Sequence, residues 1–194
     1  MVLGITGGVG CGKSTLMRLL ASHYQAKLLI ADEIGHEVME PHTAAWQEIR
    51  KTFAGEGIFT EGGDIDRERL AALIYRDDEK RLLLNRIVHP HVFREIERRL
   101  REWRDEPLVV LETAILFETG CDVLCDEIWW IDTDREERIR RLIRSRGYTR
   151  ERAEAIMDRQ LGEAEWEDKC HHRIDNNQDE KNLYAQLKEL LGRQ

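Results

Sequence analysis

Short apolar runs alternate along this chain with longer stretches in which apolar residues recur at helical spacing. The runs are Leu3–Thr6, Lys27–Ala31, Pro107–Thr113, Glu127–Asp132 and, more briefly, His172–Asp175. Within them Leu28-Leu29-Ile30-Ala31, Leu108-Val109-Val110-Leu111 and Ile128-Trp129-Trp130-Ile131 carry no alternating polar position, the pattern of strands buried on both faces of a parallel sheet. Between them, Leu16, Leu19, Leu20 and Tyr24 share one face of a helix predicted from Lys13 to about Tyr24. Leu183, Leu187, Leu190 and Leu191 do the same near the carboxyl terminus, as a packing stripe. Five strands separated by helices predict an α/β fold, a five-stranded parallel sheet sandwiched by helices.

Two segments interrupt that alternation. Residues 33–106 read as helical, without a buried strand. Asp64 and Asp66 are candidate helix starts there, and Leu70, Leu73 and Ile74 share a face. From Glu79 to Trp103, Leu82, Leu83, Ile87, Val88, Phe93, Ile96, Leu100 and Trp103 keep helical spacing across His89-Pro90-His91, so Pro90 is expected to kink or restart the helix. Gly55, Gly57, Gly62 and Gly63 mark loops. The second segment, Asp134–Lys169, is arginine-rich and helical. The chain therefore divides into one domain, 1–194: a core of 1–35, 107–136 and 171–194, a helical insertion at 36–106, and a lid at 137–170.

At 194 residues the chain can bury a proper core. A net charge of -8, from 30 basic and 38 acidic residues, argues against broad nucleic-acid or anionic-membrane binding. No apolar run approaches the ~20 residues that span a bilayer, and no signal peptide precedes the first strand, so a cytoplasmic protein is expected. Cys11, Cys121, Cys125 and Cys170 form no CxxC pair, which predicts reduced thiols. Oligomeric state leaves no trace in the pattern.

The strongest chemical signal lies between the first strand and the first helix. Gly7-Gly8-Val9-Gly10-Cys11-Gly12-Lys13-Ser14 is GxxxxGK[ST] in full, in the strand–loop–helix setting that a phosphate loop requires. Glycines let main-chain N–H groups wrap a triphosphate, and the helix start adds its own N–H groups and dipole. Lys13 supplies a charge near the β and γ phosphates, and Ser14 a hydroxyl for Mg²⁺. A nucleoside triphosphate and Mg²⁺ are thus the expected ligands. Cys11 either has the lowered thiol pKa of a helix start or simply fills a small-residue position.

Further candidates follow from placement. Asp32 follows the second strand and suits a carboxylate that positions or deprotonates an acceptor hydroxyl; capping the next helix is the competing role. Arg138, Arg141 and Arg144/Ser145 share a helical face, and an arginine lid over the γ-phosphate competes with ion pairing to Glu136, Glu137 and Glu151. His89-Pro90 and Ala114-Ile115-Leu116-Phe117-Glu118 are expected beside the cleft. Glu112 either approaches Mg²⁺ through water or is a plain surface or buried polar group.

Taken in order, Gly4–Thr15, Ala31-Asp32, Val88-His89-Pro90, Ile115-Leu116-Phe117-Glu118, Thr149 with Gln160, and Ile174-Asp175-Asn176-Asn177 resemble the dephospho-coenzyme A kinase family over nearly the whole chain. The resemblance implies ATP-dependent phosphorylation of the ribose 3′-hydroxyl of dephospho-coenzyme A, a small-molecule substrate. It implies Asp32, Lys13, Arg141 and Arg144 as catalytic residues. The nucleotide side would be Gly8, Gly10, Cys11, Gly12, Lys13, Ser14, Thr15, Arg146 and Asn176, with Asn176 near the adenine. The acceptor side would be Thr6, Asp32, His89, Leu116, Phe117 and Glu118, and the helical insertion would bind the acceptor. Three positions depart from the family pattern: Ile30-Ala31-Asp32 keeps only the second of two aspartates, Ala114 replaces a proline, and the lid reads Ser145-Arg146. Two other classes share parts of the pattern. One is a P-loop kinase for another nucleoside, nucleotide or small metabolite. The other is a GTP switch, since Asp32-Glu33-Ile34-Gly35 matches DxxG, although no Asn-Lys-x-Asp sequence accompanies it.

Overall fold

The structure, a computed structural model, describes residues 1–160 and 162–192; position 161 of the expected lid and 193–194 of the expected last core segment lie outside the described residues. The elements run β1 (Val2–Thr6), α1 (Lys13–Tyr24), β2 (Lys27–Ile30), α2 (Ala31–Val38), α3 (Ala44–Thr52), α4 (Arg67–Arg76) and α5 (Asp78–Glu102). There follow β3 (Val109–Glu112), a 3-10 turn at Cys121–Leu124, β4 (Glu127–Asp132), α6 (Arg135–Arg146), α7 (Arg150–Met157), α8 (Glu163–Lys169), β5 (His172–Asp175) and α9 (Glu180–Leu191). Two compact units emerge, Met1–Leu29 with Asp105–Gln194, and Ile30–Arg104.

The first unit is built on the sheet, of order β2-β3-β1-β4-β5. β1 lies at its centre, parallel to β3 through Gly4↔Leu111 and to β4 through Gly4↔Ile128; β5 pairs parallel with β4 through Ile131↔Ile174. The expected apolar runs supply the core: Leu3, Ile5, Val110, Leu111, Trp129, Trp130, Ile131 and Ile174 are all buried. Helices cover it, α1 through Leu16, Met17, Leu19 and Leu20, and α9 through Leu183 and Leu187. Trp130 stacks on Trp166 of α8 with ring centroids 5.6 Å apart, which ties the end of the arginine-rich segment to the sheet. Strand order places the β1–α1 loop above the middle of the sheet, the position where open α/β sheets bind ligands.

The second unit closes around Ala45, Ile49, Phe53, Ile58, Leu70, Leu84, Ile87 and Val88. Asp66 is the cap of α4, its carboxylate accepting from Glu68 N–H and Arg69 N–H, while Asp64 belongs to a turn closed on the Thr60 hydroxyl. Helix α5 runs unbroken through Pro90, contrary to the restart expected from that residue. A proline inside a helix costs about 3 kcal/mol, but Leu84, Ile87, Val88 and Ile96 are buried along α5, each contributing roughly 1.5–3 kcal/mol, so the continuous apolar face outweighs the lost bond. β2 also ends sooner than expected. Ile30 is its last residue and already the cap of α2, so Asp32 stands in a first helical turn and not at a strand tip.

Candidate active site

The loop from Gly7 to Gly12 joins the central strand to α1. Gly12, the cap of that helix, has φ 96° and ψ 24°, a left-handed conformation that glycine adopts without steric cost. No side chain among the described residues caps α1, which leaves the Ser14 N–H of its first turn for an anion, while the Thr15 N–H turns to Gly12 O. The carbonyl just before them is held from three sides. Cys11 O accepts from Asn176 Nδ2 at 2.7 Å, Thr133 Oγ1 at 2.9 Å and Arg141 Nη1 at 3.4 Å. In a trans peptide the C=O and the following N–H point in opposite directions. Three donors on Cys11 O therefore turn the Gly12 N–H away from them, toward the concave side of the loop. A Cβ at residue 12 would collide with Asn176 Nδ2, so only glycine leaves room for that bond.

The loop's other flank is held as well. Val9 N–H donates to Gln160 Oε1 at 3.0 Å, and Val9 O accepts from Arg138 Nε at 2.9 Å. Lys13 Nζ donates to Gly7 O at 2.9 Å and lies 3.7 Å from Glu112 Oε1 at the end of β3, both side chains about 15% exposed. Ser14 is exposed at the start of α1, and Thr15 is half-buried beside it, its N–H bonded to Gly12 O. Thr6, the last residue of β1, is 1% exposed and its hydroxyl has no hydrogen-bond partner among the described residues.

Cys11 is buried against Gly7, and burial pushes its thiol up despite the opposing charges of Lys13 and Arg138. Of the two roles open to it, its burial favours the filler of a small-residue position over a thiol of lowered pKa. The arginine face divides. Arg138 and Arg141 turn onto the loop, and Arg141 also donates to Asn176 O at 3.1 Å and pairs with Glu137. Arg144 and Arg146 are exposed and make no bond or ion pair among the described residues, while Ser145 donates to Arg141 O. Asn176 uses its amide on Cys11 O and its own N–H on Asp132 O. Leu116 is fully buried against β1, within 3.3 Å of where a Gly4 Cβ would stand, so its side chain packs the core. Phe117 sits under the Lys169 ammonium at 5.1 Å, and Glu118 is exposed.

In the second unit, Asp32 is exposed in the first turn of α2. Ile30 holds the cap position, and the Asp32 carboxylate makes no bond among the described residues, so the capping role set against it does not apply. His89 is half-buried on α5, where burial lowers its imidazole pKa and favours the neutral ring. Thr133 escaped sequence reasoning altogether; a threonine just after an apolar strand is too common a pattern to single out. Arg138 appeared there only as one of a charged face.

The sheet, the loop and its lysine and serine place the chain among the P-loop kinases. Solved structures agree with it in fold over its whole length: TT1252 from Thermus thermophilus at 30% identity and a TM-score of 0.83, covering 97% of that chain, and dephospho-CoA kinase from Campylobacter jejuni at 21% and 0.72, covering 98%. The dephospho-CoA kinase family model matches residues 1–182, and a dephospho-CoA kinase of Parasynechococcus marenigrum is 36% identical over 183 residues, 94% of this chain and 91% of the relative. The chain belongs to the dephospho-CoA kinase family, and its activity is the final step of coenzyme A biosynthesis.

Proposed function

We propose that the Gly7–Ser14 loop holds the ATP phosphates, that the 36–106 insertion binds dephospho-coenzyme A, and that Asp32 orients the ribose 3′-hydroxyl and accepts its proton. The oxygen then forms a bond to the γ-phosphorus as the bond to the bridging β–γ oxygen breaks, releasing ADP. Charge neutralisation and positioning do most of the work in such transfers. The loop amides and Lys13 neutralise the phosphates on one side. The 137–170 segment acts as the lid, and exposed Arg144 and Arg146 are the lid cations left free for phosphate. Phe117, Glu118, Thr6 and neutral His89 are acceptor-side residues, with Asn176 bordering the adenine.

Among the described residues no group of three or more His, Cys, Asp or Glu could hold a metal ion. That suits Mg²⁺, which is commonly held by one or two protein oxygens together with substrate phosphates and water; Ser14 Oγ would be the protein's ligand. When bound it would offset phosphate charge. Ser14→Ala is expected to raise the Mg²⁺ concentration for half-maximal rate about tenfold, by loss of one ligand of few. A magnesium titration of turnover checks this, and an unchanged midpoint removes Ser14 from the metal's shell. No helix among the described residues is long and apolar enough to cross a membrane, which accords with a cytoplasmic enzyme.

The observation that carries this reading is the triply bonded Cys11 carbonyl beside an uncapped α1, a main-chain cradle prepared for anions. The test uses 3′-deoxy-dephospho-coenzyme A. It is expected to compete with the natural acceptor and to accept no phosphate from labelled ATP. Phosphate transfer to the analogue would overturn the 3′ assignment.

A further inference from the structure

Val9 is the one loop residue whose side chain, N–H and C=O are all engaged by the arginine-rich segment. Its side chain packs on the cluster of Ile139, Leu142, Ala153 and Met157. Its N–H donates to Gln160 Oε1 and its carbonyl accepts from Arg138 Nε. Arg138 Nη2 donates to the same Gln160 oxygen at 2.9 Å, so the three groups form a closed ring of hydrogen bonds. Gly8 is where the guanidinium rests: a Cβ there would fall inside it. Gln160 Oε1, with two lone pairs, is filled by these two donors.

We propose that Arg138 and Gln160 act together as positioning residues that set the Val9 peptides, so that the Gly10 N–H faces the nucleotide's phosphates. The geometry follows from the peptide plane. With Val9 O turned to Arg138, the Gly10 N–H must point the opposite way; with Val9 N–H turned to Gln160, the Gly8 carbonyl points away, where it accepts from Cys11 N at 3.2 Å and closes the turn. Gly10 at φ 78° completes a conformation that side chains other than glycine rarely adopt. Arg138 makes no ion pair with a carboxylate among the described residues, and burial pulls its guanidinium below the ordinary arginine value. Its desolvation is offset by loop carbonyl and amide oxygens, and a bound phosphate anion would offset it further. Arginine is needed because its planar fork reaches Val9 O and Gln160 Oε1 at once, which a lysine ammonium cannot reproduce.

This inference rests on the loop's being the ATP site. The test compares Arg138→Ala, Arg138→Lys, Gln160→Leu and the double variant Arg138→Ala/Gln160→Leu in the full chain, with ATP and dephospho-coenzyme A. Each alanine or leucine variant is expected to lower kcat by about 10- to 100-fold, the scale of misplaced reacting groups, with KM for dephospho-coenzyme A within twofold. Arg138→Lys should recover part of the loss, and the double variant should be no worse than the poorer single one, because both act through Val9. Wild-type kcat in the single variants, losses that multiply in the double, or losses that simply track the melting temperature overturn the pairing. Should Arg138→Ala not fold, Arg138→Lys and Gln160→Leu decide it by the same kcat and KM readings. Lys13→Ala in the same assays separates the two claims: an active Lys13→Ala sinks the ATP site itself, whereas an inactive one beside wild-type Arg138 and Gln160 variants sinks only the pairing.

Discussion

Lys13→Ala is expected to lower kcat/KM for ATP by about 10³-fold or more, the scale seen when a preorganised cation is removed from phosphoryl transfer. The ammonium donates to Gly7 O and stands 3.7 Å from Glu112, so phosphates held in the proposed site would meet it already oriented. Its removal does two things at once. It would delete the positive charge that the β and γ oxygens meet in the proposed site, and it would remove the ammonium that pairs with the Glu112 carboxylate at 3.7 Å. The two effects separate in a double variant. Lys13→Ala/Glu112→Gln is expected to regain part of the ATP affinity, by relief of repulsion, and none of the turnover. Steady-state kinetics with calorimetric ATP binding measure both. Turnover of Lys13→Ala within tenfold of the parent would mean that the loop does not hold the reacting phosphates.

How much of this could be read from the chain follows from how local each feature is. The strands were legible because an uninterrupted apolar run has few alternatives once it is bounded by polar residues, and β4, Glu127–Asp132, matches its predicted bounds. The phosphate loop was legible because its glycines, lysine and serine are contiguous. Helix breaks were less so: Pro90 carries a fixed local cost, and whether the helix survives it depends on packing partners such as Ile49 and Phe53, far away in sequence. Asp32 shows the same limit at smaller scale, since a helix beginning one residue after β2 looks like the end of an apolar run. The network on the loop was the least legible part. Cys11 O collects donors from residues 133, 141 and 176, and Val9 accepts from 138 and donates to 160, pairings that only a folded sheet with its covering helices brings about. Cys11 carried a pattern open to a reactive thiol or a small filler, and burial, invisible in the motif, favours the filler.

Asp32→Asn is expected to leave ATP affinity unchanged and to reduce kcat by about 10²- to 10⁴-fold, the range of lost general-base assistance. The substitution keeps the shape and removes the charge and the basicity. It disturbs little else: the carboxylate is exposed, caps nothing and holds no partner among the described residues. The one structural effect to discount is electrostatic. An acid in the first turn of α2 stabilises that helix by about 0.3–1 kcal/mol through the dipole, and asparagine forfeits it. Glu33 offers the control, because it is an exposed acid in the same turn. Glu33→Gln forfeits the same dipole interaction and is expected to turn over like the parent. If both variants lost activity alike, the cause would be the helix and not the proton. If neither did, another group, or water, would take the 3′-hydroxyl proton, and Asp32 would drop out of the chemistry. Loss confined to Asp32→Asn, with ATP still bound at parental affinity, is the result that a base acting on the acceptor requires.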